Sequence, residues 1–218
     1  MQSIVECYKK VSKYYFKFIN LQETKINKFK NKSKMLKSYL IPICFWIVKK
    51  SNKKSPLIIG LAGGQGTGKT TIASIISLIL KKYFKLKVFK ISIDDFYKTR
   101  NERKKISKSI HPLLMIRGVP GTHDYKIIYE FFKKIKNKKI AKFRLPKFDK
   151  SKDERYNKKF WYKIDSKPDV IIFEGWCVGA KSQKNSKLIK SINSLEKISD
   201  QNFVWRKYVN LQLKKNYK

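Results

Sequence analysis

The stretch Gly63-Gly64-Gln65-Gly66-Thr67-Gly68-Lys69-Thr70 fits the pattern G-x-x-x-x-G-K-[ST] of a phosphate-binding loop. An apolar run over residues 57–62 precedes it, and the apolar-rich residues 71–80 follow. The order reads strand, glycine loop, helix, the one context in which this motif works. Glycines let several backbone N–H groups point inward at phosphate oxygens, and the helix opening near Gly68 adds its positive N-terminal end. The spacing predicts that Gly63 to Thr71 (Gly63, Gly64, Gln65, Gly66, Thr67, Gly68, Lys69, Thr70, Thr71) cradle the phosphates of a nucleoside triphosphate. Lys69 would reach the β- and γ-phosphates, and the Thr70 hydroxyl would hold Mg²⁺.

The rest of the chain supplies further strand and helix signals. Residues 1–54 read as a helical extension, with Ile4, Val5, Tyr8, Val11, Tyr15, Phe18 and Ile19 near one face. Such a basic amphipathic segment can lie on a membrane or pack on a core, and the pattern favours the core. Residues 51–56 form a polar break, and 55–218 form the loop-bearing domain. Residues 86–93 read as a second strand and 169–174 as a third, nearly all apolar as a buried parallel strand should be. Residues 98–124 and 144–156 read as loops, 125–135 as a helix, and 182–218 as a basic helical stretch. Strands alternating with helices predict a three-layer α/β/α fold around a parallel sheet.

The formal charge of +38 over 218 residues would ordinarily suggest a polyanion partner. Only six of the 53 basic residues are arginine, and the lysines run the whole length of the chain. Bidentate phosphate and base recognition favours arginine, so the composition argues against a specific nucleic-acid function. Cys7, Cys44 and Cys177 have no metal-ligand spacing and read as free thiols of a reducing cytoplasm. Residues 39–48 are apolar but too short for a membrane span and contain Pro42. No secretory leader is legible at the start, and composition leaves the oligomeric state open.

A second constellation follows the predicted second strand, where Asp94 and Asp95 stand in Ser92-Ile93-Asp94-Asp95-Phe96-Tyr97. Carboxylates at the carboxyl end of a parallel strand sit where open α/β sheets bind ligands. A carboxylate there can accept the proton of an alcohol being phosphorylated, although Asp also favours plain strand-end turns. Glu174 ends the third strand beside Gly175 and is placed to organise the Mg²⁺ shell or polarise a water.

These pieces in this order resemble the P-loop kinases that include uridine kinase, phosphoribulokinase and pantothenate kinase. Four segments sharpen the likeness: Ser92 to Tyr97, Arg117-Gly118-Val119-Pro120-Gly121-Thr122-His123-Asp124, Leu145-Pro146-Lys147-Phe148-Asp149-Lys150-Ser151, and Phe173-Glu174-Gly175-Trp176-Cys177-Val178-Gly179. Together they are similar to D-glycerate 3-kinases of the plant, yeast and cyanobacterial type, from about residue 39 onward. The resemblance implies Mg-ATP-dependent phosphorylation of a small hydroxy acid, D-glycerate, to 3-phosphoglycerate. It implies catalytic roles for Asp94 as base, Lys69 and Glu174. It implies acceptor-side roles for Asp95, Tyr97, Arg117, His123, Asp124, Asp149 and Arg155. Arg117 or Arg155 could clamp the substrate carboxylate at two points. His123 can equally be a structural hydrogen-bonding residue, and Asp149 with Arg155 a surface ion pair. A kinase of a nucleoside or of pantothenate, or a remnant that only binds nucleotide, are the competing readings.

Relatives of this type run on past the point where this sequence stops. Residues 208–213 resemble the start of the helix before a fourth strand, and the lid over the ATP phosphates has no counterpart. The resemblance therefore implies a C-terminally shortened kinase whose first strand lies at an open edge, with at most trace activity by itself. Should it turn over normally, the C-terminal helix with Arg206 and its lysines would be expected to replace the lid.

Overall fold

A computed structural model describes residues 3–52, 54–136 and 143–217. The chain forms two compact units, one from the residues up to Ile91 with Lys167–Glu174, the other from Ser92–Ser166 with Gly175 onward.

The first unit is a small sheet with a helical layer. Its strands are β1 (Leu57–Ala62), β2 (Val88–Ser92) and β3 (Val170–Gly175), in the order β1-β3-β2. They form the parallel sheet flanked by helices that the alternation predicts. β3 lies between the others and is buried along almost its whole length, which is why its sequence is nearly all apolar. Asp169 fixes the register at its start: its carbonyl accepts from Leu57 N (2.9 Å), its N–H donates to Lys87 O (2.8 Å), and its carboxylate accepts from Lys87 N (2.7 Å). β1 has one strand neighbour among the described residues, and Ile58 on it is 45% exposed.

Three longer helices complete this unit: α1 (Ile4–Leu21), α2 (Ile41–Lys50) and α3 (Lys69–Lys82). Ser3 caps α1 by accepting from Glu6 N at 3.1 Å. The buried stripe of α1 is Cys7, Val11, Tyr15 and Ile19, an unbroken i, i+4 series. Ile4 and Val5, expected on that face, point to solvent; Cys7 takes the first core position because a thiol packs as a small hydrophobe. α2 buries Ile41, Cys44 and Ile47, and a wide π-type turn over Leu36–Leu40 leads into it. That widening sits where the ring of Pro42 meets the preceding turn. These side chains share one core with Ala73, Ile76, Ile79 and Leu80 of α3 and with Val170 and Ile172 of β3.

The second unit departs more from the sequence reading. The stretch 98–124, expected as loop, holds α4 (Arg100–Ser109). It opens with a full capping box, in which the Thr99 hydroxyl accepts from Glu102 N and the Glu102 carboxylate accepts from Thr99 N. The expected helix α5 spans Tyr125–Lys136. The stretch 144–156 is not plain loop either: Phe148–Asp149 pairs antiparallel with Glu154–Arg155, and Phe143–Leu145 with Tyr162–Ile164. The basic C-terminal stretch is broken into a 3-10 turn (Asn185–Leu188), a short helix (Ser194–Ser199) and α6 (Val204–Asn216). Phe203, at φ 45°, forces the last break. Arg206, read as a stand-in for lid cations, is buried and binds the Asp200 carboxylate (3.0 Å) and Glu196 (3.3 Å).

Cys7, Cys44 and Cys177 are all free and buried. Burial pushes the Cys7 thiol up to about 11 and that of Cys177 to about 12. No helix among the described residues is long and apolar enough to cross a membrane.

Arg103 is the staple of the second unit. It is 1% exposed and donates to the carbonyls of Lys98 (3.2 Å), Met115 (2.8 Å) and Asp153 (2.9 Å), and it pairs with the Asp153 carboxylate at 2.8 Å. Replacing Arg103 with Met would strand three carbonyls and leave the Asp153 carboxylate to Arg117 alone. The expected cost is about 3 kcal/mol, read as a fall in Tm of roughly 10 °C in thermal unfolding followed by circular dichroism. An unchanged Tm would show that the staple contributes no net stability.

Candidate functional site

The phosphate-type loop lies in the first unit between β1 and α3. Gly66 and Gly68 adopt φ of 75° and 79°, the left-handed region that glycine reaches without strain, and Gly68 is the residue from which α3 starts. The Thr67 hydroxyl donates to Gly64 O at 2.8 Å, and Lys69 Nζ donates to the same carbonyl at 2.6 Å. The lysine ammonium therefore lies over the loop rather than in bulk solvent. Thr70 and Thr71 occupy the first turn of α3.

Thr70 Oγ1 donates to Glu174 Oε1 at 3.1 Å, across 104 residues of sequence. Glu174 is 4% exposed, so the carboxylate that ends β3 meets the hydroxyl that follows the loop lysine. A hydroxyl and a carboxylate are hard oxygen donors and fit Mg²⁺. Among the described residues no three His, Cys, Asp or Glu gather into a metal cage. Mg²⁺ takes one or two protein ligands and completes its shell from water and phosphate oxygens. Lys90 on β2 adds a cation that the sequence reading did not single out. Its Nζ donates to Ser74 Oγ (2.6 Å), which in turn donates to Thr70 O (2.7 Å). Burial lowers the Lys90 pKa against the pull of Glu174.

The second unit gathers most of the other predicted residues. A 3-10 turn over Ile93–Phe96 follows β2 and presents Asp94. Its Oδ1 accepts from the Tyr97 hydroxyl (2.9 Å) and its Oδ2 from Lys150 Nζ (2.6 Å). Burial alone would raise the Asp94 pKa, but these two donors outweigh it and hold the carboxyl below its ordinary range. Burial and the Asp94 charge push the Tyr97 phenol well up, so its hydroxyl keeps its proton and donates. Asp95 is turned to a structural task, accepting from Phe148 N at 3.2 Å.

Residues 96–98 run alongside 122–124, with Asp124 N donating to Phe96 O and Lys98 N to Thr122 O. This pairing stacks the Tyr97 ring on His123 at 4.5 Å. His123 is fully buried, and its Nδ1 lies 2.7 Å from Tyr217 Oη, which also accepts from Gly121 N (3.2 Å). His123 Nε2 has no partner among the described residues. Gly121 has φ 100°, and a Cβ there would lie 2.6 Å from the Tyr208 ring of α6.

The arginines behave differently from the expectation of a carboxylate clamp. Arg117 pairs with the Asp153 carboxylate and donates to Lys150 O (3.3 Å). Arg155 donates twice to Tyr97 O (3.2 and 2.8 Å) and pairs with Asp124 at 3.3 Å. Asp149 accepts from Ser151 Oγ (2.6 Å), Ser151 N (3.0 Å) and Lys152 N (3.2 Å), the geometry of a turn.

Residues 58–194 match the phosphoribulokinase / uridine kinase family. The chain belongs to that family. In an alignment 194 residues long that covers 78% of this chain, it is 28% identical to the chloroplastic D-glycerate 3-kinase of Arabidopsis thaliana, of which it covers 42%. A D-glycerate 3-kinase structure from Cryptococcus neoformans superposes with a TM-score of 0.63 at 27% identity, over 81% of this chain and 65% of that one. A pantothenate kinase of Lactococcus lactis is 32% identical over 130 residues, 59% of this chain and 39% of that protein. The chain thus spans less than half the length of these curated relatives.

Within this phosphoribulokinase / uridine kinase member, Asp94, Tyr97, His123, Asp124 and Arg155 come together in the second unit, and Lys69, Thr70 and Glu174 in the first. Lys150, the partner of Asp94, was not singled out in the sequence, although it stands between Leu145 and Ser151. Arg103 and Asp153 were missed too, because only long-range pairing reveals them.

Burial drives the His123 pKa down to about 3 against the opposing pull of Asp94. An unfolded histidine titrates near 6.5, so below that pH the unfolded chain binds a proton that the folded chain refuses. Stability should therefore fall as pH drops from about 6.5 towards 3, by about 2 kcal/mol between pH 7 and 5. Urea unfolding at the two pH values should show this loss in the parent and a much smaller one in His123→Gln. Equal losses would mean that His123 is not the group responsible.

Proposed function

We propose that this chain carries the catalytic residues of an ATP-dependent kinase that phosphorylates a small hydroxy acid, D-glycerate at its 3-hydroxyl. The observation that carries the kinase reading is the Thr70–Glu174 contact behind a complete phosphate loop. Incidental glycine turns do not bring a strand-end carboxylate to the hydroxyl after the lysine. The choice of acceptor is supported by the names of the Arabidopsis and Cryptococcus relatives. The Lactococcus match keeps pantothenate as the second reading.

In this reading residues 55–218 hold the machinery, with 1–54 as a helical layer, in a cytoplasmic protein. Loop amides from Gly63 to Thr71 and the Lys69 ammonium bind the ATP phosphates. Thr70 and Glu174 would hold Mg²⁺, which would supply positive charge to neutralise the phosphates. Asp94, ionised at neutral pH, accepts the proton of the acceptor hydroxyl while the hydroxyl oxygen bonds to the γ-phosphorus. The bond to the bridging oxygen breaks and its electron pair leaves with ADP. Tyr97 orients the Asp94 carboxylate. Asp95, Arg117, His123, Asp124, Asp149 and Arg155 shape the acceptor side through the contacts described, rather than as free binding groups.

Coupled detection of ADP across D-glycerate, pantothenate, uridine and ribulose 5-phosphate tests the acceptor. D-glycerate should give the highest kcat/KM, and a preference for another acceptor overturns the assignment. Lys69→Ala should abolish turnover and weaken fluorescent-ATP binding; unchanged affinity and turnover would refute the loop's role. Asp94→Asn should lower kcat by about 10²–10⁴-fold with little change in the KM for ATP. If Asp95→Asn is the crippled variant instead, the base is the neighbour.

A further inference from the structure

An anionic acceptor needs a cation that can change partners. The arginines that the sequence offered cannot do so cheaply. Arg155 is 11% exposed and holds Tyr97 O and Asp124, and Arg117 is tied to Asp153 and Lys150 O. Breaking such part-buried, multi-point contacts strands carbonyls and carboxylates. Lys150 differs in each respect. Its side chain is 61% exposed, and its one ion pair among the described residues is to Asp94 Oδ2. An exposed lysine pair is worth at most about 1 kcal/mol, so exchange costs little, and the ammonium keeps three donors on a flexible stem.

We propose that Lys150 is the acceptor-carboxylate cation, released from Asp94 by the arriving acid. This rests on the hydroxy-acid kinase reading and deepens it. The titratable groups that act on Asp94 or feel its charge include Tyr97, Lys150, His123 and Cys177. Burial keeps His123 neutral and the Cys177 thiol protonated, so Lys150 is the one full positive charge among those groups. When Lys150 turns to a substrate carboxylate, Asp94 loses its strongest stabilising donor and becomes a stronger base. An uncharged alcohol of similar shape offers nothing to draw Lys150 away, and Asp94 stays a weak base. The same lysine thus selects the acid and readies the carboxylate that deprotonates it.

The full chain and its Lys150→Met and Lys150→Arg variants provide the test, in two measurements. First, the Asp94 carboxyl is followed by ¹³C NMR in protein without ligands. Its pKa should rise in Lys150→Met and stay near the parent value in Lys150→Arg; no rise in the Met variant overturns the proposal whatever the enzyme phosphorylates. Second, D-glycerate and glycerol are compared by calorimetric binding and by kcat/KM. Lys150→Met should weaken D-glycerate about tenfold or more, the scale of one lost charge-assisted hydrogen bond, leave glycerol and ATP affinity unchanged, and collapse the preference for the acid. Lys150→Arg should restore much of the D-glycerate affinity. A Lys150→Met protein that keeps the parent's preference overturns this inference alone. A parent that binds uridine in place of any hydroxy acid overturns the inference and the proposed function together.

Discussion

A carboxylate at the end of a buried strand must find a partner, and much of the first unit is arranged by that requirement. β3 is apolar because it lies between two other strands under a helical layer, yet it terminates in Glu174. An unpaired charge there would cost several kcal/mol. The Thr70 hydroxyl meets it, and Lys90 lies close enough for the two charges to interact. Satisfying Glu174 therefore fixes the start of α3 relative to the sheet, and with it the left-handed glycines of the loop. The same contact that settles the packing sets out hard oxygen donors beside a bed of backbone amides.

The second unit solves a different problem. Its backbone wanders through short strand pairs, 3-10 turns and a glycine-rich loop, leaving many carbonyls without ladder partners. The scarce arginines supply the missing donors. Arg103, Arg117, Arg144, Arg155 and Arg206 each reach at least two acceptors, mostly backbone carbonyls or carboxylates. A planar guanidinium with five donors suits that task. Lysines, far more numerous, are left to solvent and to single exchangeable contacts. Asp94 stands where the two habits meet, in a frame built with arginine but bound itself by a lysine.

What the sequence made legible followed the range of the interaction. The loop, its strand and its helix were readable because G-x-x-x-x-G-K-T encodes everything within eight positions. β3 was readable because its partners demand an apolar run. α4 was not, although Thr99 and Glu102 spelled its cap, because charged residues around Arg103 masked any apolar stripe. Asp94, Tyr97, His123, Asp124 and Arg155, expected together, do lie together in the second unit, but their partners were not legible. Nothing near Arg117 in the sequence announces Asp153, 36 positions away. Nothing near Asp94 announces Lys150, 56 positions away. Identity survives in local motifs, whereas which cation belongs to which anion is decided only by the folded chain.

The buried cysteines give the molecule a chemical clock. With thiols raised well above the ordinary range and shielded from solvent, Cys7 and Cys177 are almost unreactive while their surroundings stay closed. Cys7 lies in the core of the first unit, and Cys177 follows β3 in the second. Alkylation by a small electrophile must await an opening event, so its rate at each sulfur reports how often that unit breathes. The two rates, resolved by mass spectrometry in a single sample, compare the local stability of the first and second units without any introduced label.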